Sequence, residues 1–134
     1  MSLAYLNIIK GLHYVIEFNQ SGKKQEINVV NMSLQPLELY PFQEKEAMNI
    51  ATPLLTERGI VVVIATGNYG DRGNNTLNPW SVAPWAIGVG TTYRDGKRLW
   101  ERSSKGVLGD PLYHPTVVAP AVDIVGWRSP ERCI

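Results

Sequence analysis

Cysteine is nearly missing from this chain. Cys133 is its single copy in 134 residues, so no internal disulfide can staple the fold, and the redox state of its compartment stays open. An excess of charge is missing as well: 13 Lys plus Arg stand against 12 Asp plus Glu, a formal net of +1. That field is too balanced to hold a nucleic-acid backbone or an anionic lipid surface, so neither is an expected partner. The longest unbroken apolar run, Ile60 to Ala65, falls far short of the roughly 20 residues a membrane helix needs. No basic stretch followed by an apolar one opens the sequence, so no signal peptide is expected. Two distant histidines and one cysteine near the end offer no metal-ligand spacing, and neither a metal nor any other cofactor is expected. There is no internal repeat and no low-complexity tract. What is present, 44% hydrophobic and 19% charged residues, is the composition of a globular protein. A chain this long buries about two-thirds of its unfolded surface in one core, so a single domain over 1–134 is expected.

Periodicity supplies the elements. Tyr5, Ile8, Ile9, Leu12, Val15 and Ile16 recur at steps of three and four, which predicts an amphipathic helix from Tyr5 to Phe18, ended by Asn19, Gln20, Ser21 and Gly22. Ile27 to Leu34 reads as a strand with apolar residues on both faces. A second helical pattern after Pro41 sets Ala47, Ile50, Ala51, Leu54 and Leu55 on one side, with Glu44, Lys45, Asn49 and Glu57 largely opposite. Pro53 removes a backbone donor and is expected to kink or split this helix. Arg58-Gly59 ends it, and Ile60 to Ala65 is β-branched and apolar throughout, the pattern of a strand covered on both faces. Ala86 to Thr92 and Thr116 to Pro120 complete a set of four strands. Helix, strand, helix, strand predicts an α/β fold with a mostly parallel sheet.

In such sheets function gathers beyond the carboxyl ends of the strands, here at Ser33-Leu34 and at Thr66-Gly67-Asn68. An asparagine two residues past a buried strand, after a glycine, can hold its side-chain amide out as a fixed donor, which an oxyanion site requires. The simpler role for Asn68 is to stabilise the turn through its own backbone. Gly67, Gly70 and Gly73 follow a strand as a phosphate cradle would. Their spacing matches neither a dinucleotide fingerprint nor a P-loop, and Asn74, Asn75, Asn78 and Pro79 interrupt any following helix. Trp80, Trp85, Trp100 and Trp127 are expected to pack or to wall a cleft. Nothing near Cys133 supplies the base a nucleophile needs.

The run as a whole narrows these readings. Ile27 to Leu34 (INVVNMSL), Glu57 to Asn68 (ERGIVVVIATGN), Asn78 to Thr92 (NPWSVAPWAIGVGTT) and Val117 to Gly126 (VVAPAVDIVG) resemble, in order and spacing, the middle of the subtilisin-like serine peptidases, the subtilases. The resemblance runs from about Leu6 to Val125. It implies a partial three-layer α/β fold with flanking helices, and hydrolysis of a peptide or protein substrate as the parent reaction. It also implies that Asn68 is the oxyanion donor and that Ser33, Leu34 and Gly67 border the substrate. The departures are equally definite. The family's aspartate, its histidine in a His-Gly-Thr-His-like run and its serine in Gly-Thr-Ser find no counterpart. His13 and His114 read as structural, and Asp71, Asp95, Asp110 and Asp123 match no triad motif. Gln35 and Ala121 stand where many subtilases carry glycine. The chain by itself is therefore expected to be an inactive part of an endopeptidase domain, matching the region between the family's second and third catalytic residues. The alternative is a non-catalytic peptide-binding module derived from that fold. Either way the sheet edge at Ile27 to Leu34 carries no blunting charge, so self-association or pairing with a complementary subtilase fragment is expected.

Overall fold

The first helix forms where the apolar spacing puts it. In the computed structural model, which describes residues 3–126, α1 spans Leu3–Gln20 and buries Leu12 with Tyr5, Ile8, Ile9, Val15 and Ile16 packed around it. Asn19 then closes the turn beyond it: its Nδ2 donates to the Ile27 carbonyl at 2.9 Å and its Oδ1 accepts from Ile27 N at 2.8 Å. The chain leaves that clamp directly into β1 (Val29–Met32), a strand shorter than the expected eight residues.

The second helix, α2, spans Ala47–Thr56 and differs from its sequence pattern in three ways. It starts five residues after Phe42, with residues 42–46 outside it. Asn49 faces inward, because its Nδ2 donates to the Gln43 carbonyl at 2.9 Å, while Ile50 and Leu54 are exposed. Pro53 does not split it. The helix continues for another turn, where Glu57 N donates to Pro53 O at 2.9 Å and the Arg58 guanidinium donates to Leu54 O at 2.7 Å. A proline costs one backbone bond, and the inward anchoring of Met48, Thr52 and Leu55 offsets it.

Four strands make one sheet in the order β1, β2 (Val61–Ala65), β3 (Ile87–Thr92), β4 (Val117–Pro120), and every pairing is parallel. The register sets Val29 opposite Val61, Val63 opposite Ile87 and Val89 opposite Val117. Side chains alternate across the sheet, so Val30, Met32, Val62 and Ile64 join the helices in the core with Met48, Leu55, Trp80 and Ala86. Their neighbours Val29, Val61, Ile87 and Val117 look the other way and stay 37 to 55% exposed. Of three expected layers the described residues supply two, the sheet and one helical layer. β2, read as covered on both faces, is covered on one and leaves Val61 open on the other, while β1 lies at the sheet edge, as expected, with Val29 open. Trp80 is core and Trp85 packs against it; Trp127 and Cys133 lie outside the described residues.

Candidate functional site

Two strand ends converge where the sequence pointed. β2 ends at Ala65, Thr66 turns under β3 by donating both its N and its Oγ1 to the Val89 carbonyl, and Gly67 reverses the chain with φ +107. Only glycine fits this turn. A Cβ on Gly67 would lie 2.7 Å from Gln35 Oε1 and 2.8 Å from Ser104 Oγ, on a backbone that other residues adopt only under strain. The next residue, Asn68, is exposed, and among the described residues its side-chain amide makes no hydrogen bond.

The backbone under Asn68 is tied down from two sides. Asn68 N donates to Gln35 Oε1 at 3.1 Å, so the residue standing where many subtilases have glycine reaches across from the end of β1. Tyr69 N donates to Ser104 Oγ, and Ser104 N donates to the Gly67 carbonyl, both at 3.1 Å. Tyr69 OH reaches back to the Leu37 carbonyl at 3.3 Å while the Arg72 guanidinium lies over its ring at 4.0 Å. Beyond it the single 3-10 turn Gly70–Arg72 passes so close to Ser103 that a Cβ on Gly70 would overlap the Ser103 carbonyl. The backbone that carries the exposed Asn68 amide is thus held from both strand ends.

Asn78 holds the strand ends together. It is 0% exposed; its Nδ2 donates to the Leu34 carbonyl at 2.8 Å and to the Ala65 carbonyl at 2.9 Å, and its Oδ1 accepts from Trp80 N at 3.1 Å. Its own N donates to the Thr66 carbonyl at 2.8 Å. The ends of β1 and β2 are thus bridged by one side chain. Ser33 stays exposed, with its Oγ accepting from Asn31 Nδ2 at 3.3 Å, and Leu34 is exposed as well, its carbonyl engaged by Asn78. Ser33, Leu34, Gly67 and Asn68 therefore gather at one end of the sheet.

The histidines do not. His13 is on the outer side of α1, 3.6 Å from Glu17. His114 precedes β4 with its side chain buried and its Nδ1 2.9 Å from Asp110 Oδ2, and among the described residues its ring bonds to nothing else. Asp110 is held below the ordinary carboxylate range, first by the Leu112 N–H and then by His114. A second, half-buried network sits at the core edge: Glu46 Oε1 accepts from Tyr5 OH and from Trp80 Nε1, which also donates to Tyr40 OH at 3.0 Å. Burial, and after it the Glu46 carboxylate, push the Tyr5 phenol well above its usual range. Neither network reaches Asn68. Among the described residues no cluster of His, Cys, Asp or Glu could hold a metal ion, and no helix is long and apolar enough to cross a membrane.

This parallel sheet with helices on one face has the architecture of subtilisin-like proteases. The maturation protease PagA superposes with a TM-score of 0.69 over 94% of this chain and 40% of its own, at 23% identity. The S218A mutant of the PatA protease domain gives 0.63 over 86% of this chain and 36% of its own, at 21% identity. At those identities the likeness establishes the fold. Sequence relatives carry it further: serine protease AprX of Bacillus subtilis (strain 168) is 29% identical over 96% of this chain and 30% of its own length. Subtilisin-like protease 3 of Pseudogymnoascus destructans is 36% identical over 96% of the chain and 29% of its length. The profile of the subtilase family matches residues 1–133, and the chain belongs to that family. It spans about 30% of the length of these curated relatives.

Proposed function

We propose that this chain is the central part of a subtilisin-like serine endopeptidase domain and supplies the oxyanion donor, Asn68, to a triad contributed by other segments. The observation that carries the proposal is the state of Asn68: an exposed amide, unbonded among the described residues, on a turn pinned by Gln35 and Ser104. Hydrolysis begins with attack of an activated serine on the peptide carbonyl, which places negative charge on its oxygen. Asn68 Nδ2 donates to that oxygen. Ser33 and Leu34, beside Gly67, border the strand of substrate that leads to it, and Asn78 keeps the two strand ends at a fixed spacing.

The uncovered sheet face fits the same reading. A parallel sheet is stable when both faces are covered, and Val29, Val61, Ile87 and Val117 present a contiguous apolar surface opposite the helices. The remainder of a subtilase domain is the partner proposed for that face; a second copy of the chain covers it in the absence of one. Exchanging this chain for the matching region of AprX tests the function. The chimaera is expected to react with a serine-directed fluorophosphonate and cleave peptides, whereas the isolated chain does neither. A chimaera that folds and binds peptide without cleaving it supports the rival reading, a recognition module without catalysis.

A further inference from the structure

Away from the strand ends, the segment leading into β4 folds against residues 39–42 and 75–84 to leave a cavity of about 650 Å³. That volume falls within the roughly 300–1,000 Å³ typical of small-molecule sites. Its walls are mainly apolar, with Phe42, Leu77, Val82, Val107 and Leu112 among them, and its polar side includes Asp110 and His114.

This pair is built into the loop. Asp110 Oδ1 accepts from Leu112 N at 2.9 Å, Oδ2 accepts from His114 N at 3.3 Å, and Oδ2 lies 2.9 Å from His114 Nδ1. The His114 side chain is only 4% exposed. An ionised carboxylate can only accept, so the hydrogen between the two groups sits on Nδ1. Nε2 is left as the ring's other polar atom, and among the described residues it has no partner. A hydroxyl serves Nε2 in either protonation state, because it both donates and accepts. A carboxylate or phosphate would meet the charge of Asp110 next to it.

We propose that this cavity binds a small aromatic molecule bearing a hydroxyl, a phenol or naphthol, with its rings between the apolar walls and its hydroxyl on His114. The site stands independently of the peptidase reading. The test is a titration of the full chain at pH 8 with 2-naphthol and with 2-methoxynaphthalene, which keeps the rings but has no hydrogen to donate, followed by protein NMR. One saturable site is expected, with shifts centred on residues 107–114 and 2-naphthol bound about tenfold more tightly, the worth of one buried hydrogen bond. Leu112→Trp, at a half-exposed position of the wall, fills the cavity and is expected to abolish binding of both. His114→Phe is expected to bind the two compounds equally. Absence of saturation, equal affinity of the native chain for both compounds, or unchanged binding by Leu112→Trp overturns the proposal, and these three outcomes decide it even if His114→Phe does not fold.

Discussion

Replacing Asn78 by alanine removes three hydrogen bonds at once from a fully buried position. The Leu34 and Ala65 carbonyls lose their side-chain donor and Trp80 N loses its acceptor, at a side chain that is itself 0% exposed. A buried polar group left unpaired costs about 1–3 kcal/mol, and partial relaxation of three such groups gives about 3–5 kcal/mol for the substitution. That is a large part of the roughly 5–15 kcal/mol by which ordinary domains are stable. For a chain of this size it lowers Tm by roughly 10–15 °C. Asn78→Asp separates the terms, because it keeps the acceptor for Trp80 N but sets a negative charge against two carbonyl oxygens; it is expected to be worse than alanine. Urea unfolding followed by tryptophan fluorescence, with Trp80 in the core, measures both. If Asn78→Ala lies within about 1 kcal/mol of the native chain, the bridge is not what holds the strand ends, and the reasoning fails.

The isolated chain is expected to show no labelling by a fluorophosphonate, since an oxyanion donor has nothing to stabilise without a nucleophile; stoichiometric labelling of any of its serines contradicts this. Light scattering coupled to size exclusion across a dilution series is expected to show self-association that Val61→Lys on the open sheet face reduces, whereas a monomer at every concentration shows that the face needs no cover. Asp110 has a lowered folded-state pKa, so its contribution is present in full above the ordinary aspartate value of about 3.9 and is lost as pH falls through the lower folded value. Asp110→Asn is therefore expected to lower the neutral-pH urea midpoint and flatten its fall in acid; an unchanged acid limb refutes the assignment.

Local pattern carried α1 and β2 because each repeats one periodicity over many residues, and both stand within two or three positions of their expected ends. The strand ends singled out Asn68, Gly67, Ser33 and Leu34 and the resemblance gave them roles; the structure gathers all four at one end of the sheet. Asn49 read as outward because it is polar, yet it is buried, and a carbonyl six residues earlier accepts from its amide. The bridge made by Asn78 spans 44 residues to Leu34, a distance that periodicity cannot register. Gln35 looked like a simple departure from glycine, and only the fold shows its amide oxygen receiving Asn68 N. The Asp110–His114 pair had a visible signal in its spacing of four, without a family motif to single it out.

The role of Asn68 is tested most directly by steady-state kinetics of the AprX chimaera carrying this chain, with and without Asn68→Ala. A donor that acts on charge developing in the transition state lowers kcat when removed and leaves KM nearly unchanged. The expected loss in kcat is about 10²–10³, a magnitude known for subtilisin's own oxyanion asparagine and carried over from the family rather than derived from this structure. An active chimaera whose kcat survives Asn68→Ala, or whose KM alone responds, contradicts the assignment of Asn68 to the oxyanion.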